Sequence, residues 1–454
     1  MLPLYAALLA SAVLQVQAQG PKPIKTSVAV ARPKPVTTSA PVGRQPPATT
    51  SKSSSLTTST TKPATTSTTS TTSTTKPPTS SSTTTKPPTS SSTSSSAAPP
   101  PATSTQPAPV QANTCYADNG QMTGDATTSD QMTPQYCASF CTDRGFAIAG
   151  TVQGNKCVCG HVMPTAASVG CTMACSGNSN VKCGSSGSGA LSYSVVNTPF
   201  STTPTTNSKR GLDWPWDNQA YSFAAFNPVK VPWLYNWEMW DPRGAEFPYA
   251  GAEYVGLCRT KDNIHQIPWY YNAQNHGPKY LMGFNEPDLQ GSDTALSVSD
   301  AIGLWQTNFM PLKANLGTIL VSPAVTNANA PGWGIDWMNQ FVAGCGSNCF
   351  SVIALHWYGY LLADFINHFN AWHAAYPGYP IWITEFAFTD HDVTATENLS
   401  RMAMAWMDQQ PWIQRYCLFG PMGPARMAGI VNSAMLTSDE RSLSRLGQIY
   451  MGIV

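Results

Sequence analysis

The sequence predicts an α/β domain at its C-terminal end, preceded by a small disulfide-rich module and a disordered Ser/Thr/Pro-rich stalk. Three observations carry this reading. From Lys209 onwards, eight short apolar runs recur with helix-like patterns between several of them, the signature of parallel β/α units. Eight of the twelve cysteines fall between Cys115 and Cys183. Upstream of Asn113 the chain is mostly Ser, Thr and Pro, without a single acidic residue or tryptophan.

Taken in order, Leu2–Leu14 is almost wholly apolar and is followed by Val16-Gln17-Ala18, a small-residue cleavage pattern. Residues 1–18 therefore read as a secretory signal peptide, although the first lysine is Lys22 and the usual basic start is missing. A membrane span needs about 20 apolar residues, and no segment reaches that length. The expectation is a secreted, extracellular, cell-wall-associated protein with no transmembrane segment.

Residues 19–113 contain the direct repeat KPPTSSST at Lys76–Thr83 and Lys86–Thr93. Such a tract cannot bury enough apolar surface to offset chain entropy, so an extended, O-glycosylated stalk is expected. The nine Lys and Arg before Asn113 face no Asp or Glu, whereas after Arg210 eleven basic residues face twenty acidic ones, a net of −9. The near-neutral chain thus combines a basic stalk with an acidic domain. Phosphate neutralisation needs clustered basic residues, so nucleic acid is not an expected partner.

The even cysteine count in a Gly/Ser-rich segment predicts a disulfide framework of Cys115, Cys137, Cys141, Cys157, Cys159, Cys171, Cys175 and Cys183. Zinc is a poorer fit, because only His161 lies nearby. The C-x-C and C-x-x-x-C spacings, within TPQYCASFCTDRGFAIAGTVQGNKCVCG and CTMACSGNSNVKCG, resemble a WSC domain. That resemblance covers residues 114–196 and implies a module that binds wall carbohydrate. Tyr116, Tyr136, Phe140, Phe146 and Tyr193 are its candidate stacking residues, since it has no tryptophan. Residues 197–208 read as a second linker.

All fourteen tryptophans lie between Trp214 and Trp412. The apolar runs are RGLDWPW, VPWLYNW, AEYVGLC, KYLMGFNEP, GTILVSPA, SVIALHWYG, PIWITEFAF and RYCLFGPM. Eight runs in a domain of roughly 250 residues fit closure into a (β/α)8 TIM barrel, although periodicity alone leaves an open sheet possible. Runs four and seven end in Glu286 and Glu385. In such a barrel the C-terminal strand ends face the active site, and two carboxylates there are what glycoside hydrolysis needs.

The motifs KRGLDWPW, LYNW, GFNEPD, SPAVTN, ALHWYG, WITEFA and SLSRLGQIYM resemble, in order, glycoside hydrolase family 128, whose clan uses a retaining mechanism. The resemblance implies a β-1,3-glucanase, with Glu286 as acid/base, Glu385 as nucleophile and Asn285 bonding the sugar 2-hydroxyl; an endo-type enzyme is the expectation, while the sequence itself does not separate endo from exo cleavage. His356, Trp357 and Tyr358 at the sixth run, Trp214 and Trp216 at the first, Trp237 at the second and Phe419 at the eighth are candidate substrate-binding or orienting residues. Two departures from the family pattern are the GLCRTKD at run three and Leu418 where a tryptophan is expected. They leave open a glucan-binding protein without activity.

Cys345 and Cys349 are expected to pair in a loop, with Cys258 and Cys417 as buried thiols. Asn398-Leu399-Ser400 is an N-glycosylation sequon. Lys209-Arg210 reads either as a processing site or, preferably, as the opening of strand one. No metal or cofactor is implied, and a monomer is expected.

Overall fold

The computed structural model describes residues 114–117, 120–164, 170–185, 190–195, 208–226, 231–241, 251–268, 279–346, 348–427 and 429–454. The leader, the stalk and nearly all of the 197–208 connection expected from the sequence lie outside them. Among the described residues no helix is long and apolar enough to cross a membrane.

In the cysteine-rich module, strands β1 (Thr114–Ala117), β2 (Ala126–Thr128), β3 (Ile148–Val152), β4 (Lys156–Gly160) and β7 (Ala190–Val195) form an antiparallel sheet in the order β1-β7-β3-β4-β2. A separate hairpin pairs β5 (Ala174–Cys175) with β6 (Asn178–Lys182). Helix α1 (Pro134–Thr142) starts where the Thr133 side chain accepts from the Tyr136 N–H, with proline in its first turn.

Cys137 and Cys141 are four apart and share one helix face, while Cys157 and Cys159 are two apart and share one strand face. The disulfides Cys137–Cys157 and Cys141–Cys159 therefore staple α1 to β4. Cys115–Cys171 and Cys175–Cys183 complete the set, and Cys345–Cys349 closes the loop far downstream. The module's main buried cluster is small, with Met132, Ala138, Phe146 and Ala149 around six half-cystines, so covalent staples supplement the core that so short a segment cannot build.

Beyond Lys209 the strands are β8 (Gly211–Asp213), β9 (Trp233–Tyr235), β10 (Glu253–Tyr254), β11 (Gly256–Leu257), β12 (Tyr280–Met282), β13 (Ile319–Val321), β14 (Ile353–Gly359), β15 (Ile381–Phe388) and β16 (Ile413–Leu418). All their pairings are parallel. All eight expected runs become strands, and the third splits at Val255 into β10 and β11.

The expected TIM barrel does not form, because no sheet closes. The strands make three separate three-stranded sheets, β10-β9-β8, β11-β12-β13 and β14-β15-β16. Among the described residues the isolated bridges Arg210–Tyr416, Val321–Val352 and Val325–Leu355 link one sheet to the next, and the split third run leaves β10 and β11 in different sheets. The physical reason is strand length. Strands β8 to β13 are two or three residues long, and ladders that short do not maintain continuous pairing around a closed circuit, although β14, β15 and β16 run to six to eight residues.

Helices α2 (Ala220–Phe223), α3 (Val298–Leu304), α4 (Met310–Leu316), α5 (Gly334–Cys345), α6 (Leu362–Ala375), α7 (Val393–Gln409) and α8 (Arg445–Tyr450) lie between and after the strands. A π turn at Trp305–Phe309 joins α3 to α4, just before Pro311, which has no N–H to continue the α ladder. Trp305, Phe309, Phe341, Phe365 and Phe369 pack between these helices and the strands.

The Lys209–Arg210 pair is structural. Lys209 Nζ donates to the carbonyls of Met407, Asp408 and Gln410 at 2.9, 3.1 and 2.8 Å, at the end of α7. Buried Arg210 donates to the Tyr416 hydroxyl and the Tyr450 carbonyl. Cys258 and Cys417 are both buried and free.

Candidate active site

The sequence GFNEPD leaves β12 as a buried strand and then turns. Glu286 takes a left-handed backbone (φ 42°), which is costly for a residue with a Cβ and is held only by surrounding structure. The hold is visible. The Glu286 N–H donates to the Ala324 carbonyl at 2.7 Å, and Asp288 accepts from the Thr326 and Gly334 N–H groups and the Thr326 hydroxyl. Asn285 is fully buried and bridges Ala324, with its N–H donating to the Arg259 carbonyl.

His356 of β14 lies opposite Glu385 of β15 in the strand register. Its Nδ1 is 2.8 Å from Glu286 Oε1, and its Nε2 is 3.5 Å from Glu385 Oε1. One oxygen of each carboxylate and a ring nitrogen of His356 lie within 4.8 Å of one another. Glu385 is clamped on both oxygens: Trp237 Nε1–H donates to Oε1 at 2.7 Å and the Tyr358 hydroxyl to Oε2 at 2.6 Å. The Tyr235 hydroxyl donates to the Thr384 carbonyl and lies 3.5 Å from Glu385 Oε1.

Electrostatics separate the groups. Burial pushes the Glu286 carboxyl above its ordinary range, while the hydrogen bond and charge of His356 pull it part-way back. Burial alone would lower His356, but the charge of Glu385 and the hydrogen bond to Glu286 outweigh it and hold the imidazole above its usual value. Burial and the charge of Glu385 push the Tyr358 phenol well up, so it stays a neutral donor. The Glu286–His356–Glu385 set has the atoms to grip a cation, although the indole, phenol and imidazole N–H and O–H groups already supply partners for its carboxylates.

The structure sorts the aromatic candidates. Trp237 touches Glu385 directly and also has a left-handed backbone (φ 59°). Phe419 packs edge-on against Trp237 and Tyr358. Trp216 is 53% exposed and free to meet a ligand. Trp214 and Trp357 correct the sequence reading. The first is enclosed by Phe223 and Phe226, the second by Phe365 and Phe388, so neither presents a face to a sugar. Asn398 lies on α7, and its amide donates to the Gly145 carbonyl at 2.8 Å.

Three site residues escaped sequence reasoning. Asn327, the last residue of SPAVTN, exchanges two hydrogen bonds with the Tyr358 backbone, at 3.0 and 3.2 Å. Tyr235 reaches the Glu385 region from β9. Asp213 ends β8 fully buried, with no hydrogen-bond partner on either carboxyl oxygen among the described residues. Burial, and then the charge of Glu385, push Asp213 well above the carboxylate range. The one available signal was a charged residue inside an otherwise apolar strand.

Residues 211–450 match the family model described as "Glycosyl hydrolase catalytic core". The chain belongs to that family. Residues 112–185 match the WSC domain, so a WSC module precedes the glycosyl hydrolase core. Among proteins of known identity, the chain is similar to Alkali-sensitive linkage protein 1 of Schizosaccharomyces pombe, 29% identical over 252 residues, covering 54% of this chain and 44% of that protein. It is also similar to human Kremen protein 1, 37% identical over 81 residues, covering 16% of this chain and 17% of that protein. The chain thus spans less than half the length of these curated relatives.

Among solved structures, it is similar to a GH128 (subgroup VI) exo-β-1,3-glucanase of Aureobasidium namibiae, at 24% identity and TM-score 0.49, covering 54% of this chain and 97% of that one. A GH128 (subgroup III) curdlan-specific exo-β-1,3-glucanase of Blastomyces gilchristii aligns at 28% identity and TM-score 0.45, covering 53% of this chain and 97% of that one.

Proposed function

We propose that this glycosyl hydrolase is secreted, associates with cell walls and cleaves β-1,3-glucan in the endo mode with retention of configuration. The observation that carries the reading is the pair of buried glutamates, Glu286 in the turn after β12 and Glu385 within β15, brought together at His356. Glu286, raised by burial, suits the proton donor. Glu385, held by two donors on opposite oxygens, suits the nucleophile. Their nearest oxygens lie within 4.8 Å, closer to the roughly 5–5.5 Å carboxyl separation of retaining enzymes than to the roughly 6.5–9.5 Å of inverting ones.

In the first step Glu385 attacks the anomeric carbon as Glu286 gives its proton to the departing glycosidic oxygen, leaving an α-linked glycosyl ester. Glu286, now a carboxylate, takes a proton from water, which displaces Glu385 and restores the β configuration. Neutral Tyr358 and Trp237 keep Glu385 aimed throughout.

The full chain should be incubated with soluble β-1,3-glucan beside Glu286→Gln and Glu385→Gln, with product size read by chromatography and anomeric configuration by NMR. β-Configured oligosaccharides of mixed length, lost in both variants, are expected; glucose alone would refute the endo mode. Leu418 favours the other reading, a glucan-binding protein without activity, because it is fully buried and offers no ring to a sugar. Binding by all three proteins without products would decide for that reading.

A further inference from the structure

Helix α6 begins without a cap of its own. Leu361 occupies its N-cap position, and no side chain of the helix's own segment accepts from the first turn. Two of its opening N–H groups are satisfied from the cysteine-rich module. Leu362 donates to the Asp143 carbonyl at 3.1 Å, and Ala363 donates to Asp143 Oδ1 at 2.6 Å. An acidic side chain at a helix N-terminus meets both the unpaired donors and the dipole.

The next helix is held by the same module. His161 Nε2 lies 2.8 and 3.0 Å from the two carboxylate oxygens of Asp392, the residue that caps α7. Asn398 of α7 donates to the Gly145 carbonyl. A Cβ on Gly145 would fall 2.5 Å from the Ala395 carbonyl oxygen and 2.9 Å from Leu399 Cγ, and its φ is +81°. Only glycine allows this approach. The Tyr360 hydroxyl donates to Asp125 of the module, and its ring stacks on His391 at 3.9 Å.

These contacts share one place in the fold. Helices α6 and α7 follow β14 and β15, the strands that carry His356, Tyr358 and Glu385. Tyr360 is two residues beyond Tyr358.

We infer that the WSC module is clamped to the rim of the candidate active site as an integral part of the catalytic unit. Asp143 serves as the N-cap of a catalytic-domain helix, and Asn398 serves as a clamp residue in place of a glycan acceptor. A glycan on the Asn398 amide nitrogen, which bonds Gly145, would replace one of its two hydrogens and occupy the space the module fills. Resting on the glucanase reading, the clamp also sets any glucan-binding face of the module at a fixed offset from the cleft.

The test is hydrogen exchange on the full chain, parent beside Asp143→Ala and Asn398→Ala, together with glycopeptide mass analysis of the secreted protein. In the parent, the Leu362 and Ala363 amides should be protected, and Asp143→Ala should speed their exchange about tenfold, as loss of a cap would. Asn398→Ala should speed exchange at Gly145 and its neighbours in the module, a readout that survives if Asp143→Ala disturbs the module's own folding. Peptides containing Asn398 should carry no glycan. Unchanged exchange in both variants, or a glycan on Asn398, would overturn the clamp. None of these readouts needs a substrate, so their failure would leave the glucanase reading standing. If both hold, Asp143→Ala should lose activity on insoluble glucan while keeping it on short β-1,3-linked oligosaccharides.

Discussion

Replacing His356 by alanine tests the acid/base assignment most directly, because one side chain touches both carboxylates. The imidazole is 1% exposed, with 2.8 Å to Glu286 and 3.5 Å to Glu385. Removing it leaves a buried carboxyl without its partner, a loss of about 1.5–3 kcal/mol for a hydrogen bond to a charged group. At about 2–4 °C per kcal/mol for a domain of this size, the melting temperature should fall by roughly 3–12 °C. If the same energy orients Glu286 in the transition state, kcat should fall about 10- to 150-fold.

The pH dependence carries the sharper test. Glu286 must be protonated to act as acid, so activity falls as pH rises through its pKa. Burial raises that pKa, and His356 pulls it down. Removing His356 therefore moves the alkaline limb of kcat/KM to higher pH, in a protein that is slower and less stable. The assay is the pH profile of kcat/KM on soluble β-1,3-glucan, which reports the free enzyme. A limb that stays in place or moves to lower pH would show that Glu286 is not the acid, or that His356 does not set its charge.

Three further outcomes follow from the same geometry. Trp237→Phe removes the 2.7 Å indole bond to Glu385, worth about 1.5–3 kcal/mol; a roughly tenfold or larger fall in kcat is expected, and a change below about twofold would mean the clamp is not used. Asp213, Glu286 and His356 all have folded-state pKa values above their ordinary ones. Their contribution to stability is therefore full below the unfolded values and lost as pH rises through the folded ones. Melting curves of Asp213→Asn should show less of this alkaline loss than the parent, and an unchanged slope would contradict the buried, unpartnered carboxyl as its source. Trp216→Ala should weaken glucan binding in a pull-down while changing stability by less than about 0.5 kcal/mol, since the side chain is 53% exposed; full retention on glucan would remove it from the binding surface.

Much of the site was legible because it lies in local patterns. A glutamate ending an apolar strand is visible in GFNEP and ITEFAF, and the partnering His356 and Tyr358 sit together in HWYG. Asp213 and Tyr235 were not legible as site residues. Each looks like an ordinary strand residue until the fold brings its side chain near Glu385. The tryptophans divided in the same way: Trp214 and Trp216 are two residues apart, yet one is enclosed and the other half exposed. Composition names the ring, and only packing chooses its surroundings.

The fold shows the same boundary. Periodicity and turn signals identified all eight runs, because alternation and apolar content act over a few residues. They did not identify the break at Val255 or the failure of the sheets to close, because continuous pairing depends on how many hydrogen bonds each short strand shares with a distant one. Asn398-Leu399-Ser400 reads as a glycan acceptor in one dimension and as a contact to Gly145 in three. What the sequence determined alone was the local chemistry: two glutamates in apolar runs and a cysteine set able to staple a small module. What the tertiary structure decided was which of those groups meet. Burial, charge coupling and the Asp143 cap on α6 all arise between residues far apart in the chain, and no local pattern encodes their distance.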